Sequence, residues 1–255
     1  MKLDVTDKRV LITGASSGLG AHFAHVLAAG GARVAIAARR RDRLDTLARE
    51  LTGTAAEVSV LELDVADPGS IARAMTELAE AWGGVDVVVN NAGVTQTRPA
   101  IDITADDFDA VLDVNLRGAF LVAREAARIM RRDGKGDGGA IINIASILGL
   151  RQAGHVTSYA ISKAGVVQMT KQLALEWARF GIRVNALAPG YIETELNADF
   201  WGTDAGKALI ARIPQRRLGR LDELDAPLLM LASDASRFMT GSIIVIDGGH
   251  AVSGL

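Results

Sequence analysis

Seven short apolar runs, each separated from the next by a stretch of helical pattern, constrain the fold of this chain more than any other feature. The runs are Arg9–Thr13, Arg33–Ala38, Val58–Leu63, Val85–Asn90, Ala140–Ala145, Arg183–Ala188 and Ile243–Asp247. Most are continuously apolar rather than alternating, which is the pattern of strands covered on both faces of a parallel sheet. Parallel neighbours need crossovers, and the helical stretches supply them, so repeated right-handed βαβ units follow. The expected fold class is α/β: a doubly wound parallel sheet of seven strands with helices on both faces. No linker divides the 255 residues, so residues 1–255 are read as a single domain long enough to bury a substantial core.

Two segments break the rhythm. Residues 133–139 carry four glycines and read as a flexible, solvated loop before the fifth strand. Residues 192–217 form a long excursion after the sixth strand, with helical pieces around Phe200-Trp201-Gly202. An insertion of that length at the C-terminal end of a strand is read as a lid over a site.

Composition removes several function classes. There is no cysteine, which excludes disulfides, thiol nucleophiles and Cys-ligated metals. His22 and His25 stand at i, i+3 without clustered carboxylates, so they are read as helix surface or packing and no metal site is expected. A net charge of -2 offers no electrostatic reason for a nucleic-acid or membrane partner. The first residues, Met1 to Asp7, are polar and acidic, unlike a signal peptide. With no apolar run near the ~20 residues a membrane helix needs, a soluble cytoplasmic protein is expected.

Thr13-Gly14-Ala15-Ser16-Ser17-Gly18-Leu19-Gly20 follows the first strand directly and opens a helix. Gly14 permits a tight turn, Gly18 lets the backbone approach phosphate oxygens, and Gly20 allows close helix–sheet packing. A pyrophosphate would meet free N–H groups and the positive end of the helix dipole. The spacing is G-x-x-x-G-x-G rather than G-x-G-x-x-G. The second strand ends on Ala38, followed by Arg39, Arg40 and Arg41. A carboxylate there would select a ribose 2′-hydroxyl, whereas an Arg fork pairs with a 2′-phosphate. NADP(H) is therefore favoured over NAD(H), with Arg41 read as the start of a charged helix face. Asp64, with Val65 beside it, ends the third strand. It is read as an adenine contact, with a helix-capping role equally natural.

Tyr159 and Lys163 stand Tyr-x-x-x-Lys, with Ser146 thirteen residues upstream. Residues four apart share one helix face, which puts Lys163 beside Tyr159. A neighbouring ammonium favours the phenolate and lowers a phenol pKa that starts near ~10. A tyrosine so tuned exchanges a proton with a carbonyl or alcohol oxygen.

Together with Asn90-Asn91-Ala92-Gly93, Asn115 and Pro189-Gly190, in order and at the usual intervals, these motifs resemble the classical short-chain dehydrogenases/reductases over nearly the whole chain. The resemblance implies a Rossmann-like domain. It makes Tyr159 the general acid/base, Ser146 the group that polarises the substrate oxygen, and Lys163 the holder of the nicotinamide ribose. Asn115, inside the helix after strand four, would anchor a water that relays protons to Lys163. Ser16, Ser17, Leu19 and the Asn90–Gly93 segment would line the cofactor, while Asn90 and its neighbours also suit polar bracing of the sheet. Pro189 and Gly190, with Ile192 and Thr194, would hold the nicotinamide carboxamide and direct pro-S hydride transfer. The last strand resembles an edge used in building a homotetramer. One departure is Ser17, where many NADP-dependent members carry a basic residue, so that Arg39 would supply most of the selectivity.

Substrate contacts are expected from Val94, Gln96, Leu148, Gln152, His155, Leu196, Phe200 and Trp201. The leading function is an NADP(H)-dependent interconversion of a small-molecule ketone and a secondary alcohol. A 3-oxoacyl-thioester reductase is the alternative enzyme, and a non-catalytic NADPH-sensing regulator is the alternative from another class.

Overall fold

The computed structural model describes residues 3–131, 138–194 and 198–253. Its strands are β1 (Arg9–Thr13), β2 (Arg33–Ala38), β3 (Glu57–Glu62), β4 (Val87–Asn90), β5 (Gly139–Ile144), β6 (Ile182–Pro189) and β7 (Ile243–Ile246). They make one seven-stranded sheet in the order β3-β2-β1-β4-β5-β6-β7, with every neighbouring pair parallel. The helices are α1 (Gly18–Ala29), α2 (Arg41–Leu51), α3 (Pro68–Trp82), α4 (Ala105–Leu112), α5 (Ala119–Met130), α6 (Thr157–Trp177), α7 (Ala198–Trp201), α8 (Asp204–Ile210) and α9 (Asp225–Ala232). The strand order reverses between β1 and β4. The connections leaving these two strands therefore diverge and open a crevice beyond their C-terminal ends.

Successive side chains on a strand point to opposite faces of the sheet, and here both faces are covered. On one, Ile12, Ile36 and Ile142 pack with Phe23, Leu27, Leu44 and Leu228 from α1, α2 and α9. On the other, Leu11, Ala35 and Ile141 pack with Leu78, Val122 and Ala126 from α3 and α5. Two-sided burial is the physical reason the strands lack alternation. The strand β4 begins at Val87 rather than Val85, and the Asp86 carboxylate just before it accepts from the Arg9 backbone N–H at 2.8 Å and from its guanidinium at 2.6 Å.

The glycine-rich segment before the fifth strand is only partly described. Gly139 is already part of β5. A Cβ on Gly138, whose φ is +76°, would lie 2.2 Å from the Gly181 carbonyl oxygen. These two residues are packed rather than solvated, and residues 133–137 of the expected loop lie outside the described ones. The excursion after β6 is pinned at its base. Ile192 bridges Gly219, the Gly219 N–H donates to the Tyr191 carbonyl at 3.0 Å, and the Glu193 N–H donates to the Gly219 carbonyl at 3.1 Å. His22 joins α1 to α9 through Asp225 at 2.6 Å, and His25 meets Glu50 at 3.3 Å. Both histidines are packing or surface groups.

Candidate functional site

The crevice is bordered first by the turn after β1. Gly14 adopts φ +67°, and a Cβ there would lie 2.7 Å from the Ala92 Cα. The Asn91 side chain fastens this turn to the end of β4, donating to the Thr13 and Gly14 carbonyls at 3.0 and 3.2 Å. Gly20 lies behind the turn, where a Cβ would come within 2.4 Å of the Gly14 oxygen. Ser17 starts α1 without a side-chain capping bond, so the amides of the first turn are left to an anion. Open space faces Gly18, with no atom within 4 Å of a built Cβ. This cradle fits the diphosphate of a dinucleotide. From the other side, the Arg40 guanidinium donates to the Ser16 and Ser17 hydroxyls at 2.9 and 3.1 Å. Arg41 instead pairs with Asp45 along its own helix at 3.0 Å.

Ser146, Tyr159 and Lys163 gather near the C-terminal end of β5. Ser146 follows β5, and its Oγ accepts from the Leu148 N–H at 3.1 Å. Tyr159 lies in α6, and the Lys163 Nζ is 5.6 Å from its ring centroid. The expected lowering of the phenol is not what this arrangement produces. Burial pushes Tyr159 above its ordinary range; the hydrogen bond with Ser146 pulls it down, and nearby Tyr191 adds to the rise. The Lys163 Nζ donates to the Ile144 carbonyl at 2.7 Å, and burial brings its own pKa down to about 8.

Asn115 occupies a π-helical turn, Asp113–Gly118, between α4 and α5. The widened turn explains an Asn in what reads as a helix interior. Its Oδ1 accepts from the Val94 N–H at 2.8 Å, and its Nδ2 donates to the Val94 carbonyl at 2.9 Å and to the Ser162 hydroxyl at 3.0 Å. Ser162 passes the connection on, donating to the Tyr159 carbonyl at 2.7 Å. Gly93 lies between the two functional groups: a Cβ there would be 3.4 Å from Asn115 Oδ1 and 3.7 Å from Lys163 Nζ.

A cavity of about 980 Å³ runs from the Gly14 turn past Tyr159 to the excursion after β6. Its wall includes Gly14, Ser16, Ser17, Gly18, Leu19, Arg39, Arg40, Asp64 and Val65 at one end. Asn91, Ala92, Gly93, Ser146, Tyr159, Lys163, Pro189, Gly190, Ile192 and Thr194 follow, then Val94, Leu148, Phe200 and Trp201. Asp64 also accepts from the Ala66 N–H at 2.9 Å, which orders the approach to the true cap of α3, Asp67.

Six expected contacts fall elsewhere. Gly20 packs behind the wall. Asn115 is buried beneath it. Asn90 braces the sheet, donating to the Asn143 side chain at 3.0 Å and the Ala119 carbonyl at 3.1 Å. Gln96 is turned away to donate to Asp107 at 2.8 Å. Gln152 and His155 are exposed; His155 adopts φ +64° and spends its carbonyl on the Arg98 N–H at 2.8 Å. Leu196 lies outside the described residues.

Two groups were not foreseen. Ser162, fully buried, was hidden as the fourth letter of Tyr-x-x-Ser-Lys. Tyr191 lines the cavity beside Gly190, its ring edge-on to Trp201 at 5.5 Å and also 5.5 Å from His250. Its position directly after Pro189-Gly190 was the available signal.

Comparison with known proteins agrees with this geometry. A family model described as enoyl-(acyl carrier protein) reductase matches residues 14–251. The 3-oxoacyl-acyl-carrier-protein reductase of Thermotoga maritima is 39% identical, over 96% of this chain and 98% of its own. D-threitol dehydrogenase of Mycolicibacterium smegmatis is 38% identical, over 96% of this chain and 93% of its own. The structure of a gluconate 5-dehydrogenase from Burkholderia cenocepacia, in complex with NADP and tartrate, superposes with a TM-score of 0.92 at 37% identity, covering 99% and 98% of the two chains. The chain belongs to the short-chain dehydrogenases/reductases. It is an oxidoreductase of the CH–OH group, of a family that binds NAD(P). Among the described residues no helix is long and apolar enough to cross a membrane.

Proposed function

We propose that this protein is an NADP(H)-dependent oxidoreductase that interconverts a ketone and a secondary alcohol. The carrying observation is that one cavity joins the Gly14 cradle, the Arg39–Arg40 end of β2, and the Ser146–Tyr159 pair. When bound, the nicotinamide supplies or takes up a hydride at the substrate carbon. Ser146 hydrogen-bonds the substrate oxygen, and Tyr159 gives that oxygen its proton in reduction and removes it in oxidation. Lys163 holds the ribose hydroxyls, and Asn115 organises the proton path toward it.

The choice of NADP(H) rests on Ala38 in place of a carboxylate and on two arginines beside it. Arg40, drawn onto Ser16 and Ser17, brings to the turn the positive charge that Ser17 itself lacks. Arg39 and Arg40 thus share the 2′-phosphate, rather than Arg39 carrying it alone. Residues 192–217 act as the lid of this one domain, the β7 edge serves a homotetramer, and the protein works in the cytoplasm on a small molecule.

Reduction of a 3-oxoacyl thioester is the second reading, favoured by the identity to the Thermotoga maritima reductase. A pure NADPH sensor has no use for the Ser146–Tyr159–Lys163 arrangement. The test is Tyr159→Phe, followed at 340 nm with NADPH and by cofactor fluorescence. Turnover should fall by at least 10²-fold while NADPH still binds. Unchanged turnover removes Tyr159 from the mechanism and the reading with it.

A further inference from the structure

The two ends of the cavity differ in chemistry. Among the described residues, the charged groups of its wall are Arg39, Arg40, Asp64 and Lys163, all at the turn after β1, the ends of β2 and β3, or the catalytic helix. Beyond Ser146 the wall includes Val94, Leu148, Val156 and Leu209 with three aromatic rings, and the hydroxyl-bearing Thr95 and Thr97. Tyr191 meets Trp201 at 5.5 Å and 69°, and Phe200 meets Trp201 at 5.0 Å and 69°. Trp201 is only 8% exposed, so its ring is locked by these neighbours rather than lying on the surface. Tyr191 lines the same cavity as Tyr159 and is close enough to influence its ionisation.

We propose that Tyr191, Phe200 and Trp201 form an edge-to-face aromatic wall that selects a neutral, ring-bearing ketone or the matching secondary alcohol. The proposal rests on the reading of Ser146 and Tyr159 as the pair that engages the carbonyl. With the oxygen on that pair, the carbon skeleton must lie against the rings. A saturated or aromatic ring fills such a surface with little loss of its own freedom and gains edge contacts. A polyhydroxylated chain would leave unpaired those hydroxyls that meet ring faces rather than Thr95, Thr97 or the Trp201 indole N–H, and each buried unpaired hydroxyl is penalised. A substrate carboxylate or phosphate would find no cation on this part of the described wall.

The experiment compares kcat/KM with NADPH for cyclohexanone, D-erythrulose and acetoacetyl-coenzyme A. Cyclohexanone should lead each of the others by at least tenfold. Preference for erythrulose or the thioester overturns the aromatic selection while leaving the oxidoreductase intact. Binding of NADPH with reduction of none of the three overturns the underlying reading and the selection with it. In Trp201→Ala and Tyr191→Leu, the ratio of cyclohexanone to 2-butanone in kcat/KM should fall on the order of tenfold. Calorimetric affinity for the unreactive mimic N-cyclohexylformamide should fall alongside. Trp201→Phe, which keeps a ring, should retain most of the ratio should the alanine variant not fold. An unchanged ratio in both truncations refutes the proposal.

Discussion

The Asn115 side chain donates to the Ser162 hydroxyl at 3.0 Å, and Ser162 donates in turn to the Tyr159 carbonyl at 2.7 Å. This short chain of bonds ties the π-helical turn before α5, which also holds Val94 of the loop after β4, to the helix that carries both Tyr159 and Lys163. Ser162 thereby fastens the helix turn that carries Tyr159.

Replacing Ser162 by Ala leaves an Asn115 amide proton buried and unpaired, at about 1–3 kcal/mol of stability. A chain of this size should lose roughly 2–4 °C of Tm per kcal/mol. The loosened α6 should lower kcat on the order of tenfold with a smaller change in KM. Thermal melts and steady-state kinetics check this, and Ser162→Thr, which restores the hydroxyl, should recover much of both. A variant with unaltered kcat would reduce Ser162 to a packing residue.

Removal of the two arginines should separate the cofactors. Loss of a charge-assisted contact to the 2′-phosphate costs about 1.5–3 kcal/mol, so kcat/KM with NADPH should fall roughly 10- to 150-fold in Arg39→Ala or Arg40→Ala. The value with NADH should hardly change. Equal losses with both cofactors would sink the assignment of the 2′-phosphate.

Burial of Lys163 makes stability pH-dependent with a definite sign. Its native pKa is about 8 against an ordinary 10.5, so between these values the unfolded chain binds more protons than the native one. Stability therefore rises with pH through that window, and the penalty is fully present below about pH 8. Relative to Lys163→Met, wild type should gain about 2 kcal/mol between pH 7.5 and 9.5, measured by denaturant unfolding. A flat difference would mean that Lys163 is solvated.

Much of this molecule was legible before folding. Continuous apolar runs report strands covered on both faces, and all seven recur within one or two residues of their expected ends. The turn from Gly14 to Gly20 was legible because a tight approach of backbone to backbone tolerates few side chains. Tyr159 and Lys163 were legible as a pair because helical spacing is local. Each of these inferences uses residues that are near one another along the chain.

What remained hidden depends on partners far apart in sequence. The amino acids alone determined the parallel sheet, the tight glycine turn after β1 and the helical pairing of Tyr159 with Lys163. Only the tertiary structure decided that Arg40 reaches back to Ser16 and Ser17, that Asn90 braces β5 instead of lining the cavity, and that Gln96 is spent on Asp107. It also decided the direction in which the Tyr159 phenol moves, since desolvation there outweighs the hydrogen bond with Ser146. Burial and long-range hydrogen bonds are properties of packed surfaces, and no spacing along a strand or helix encodes them.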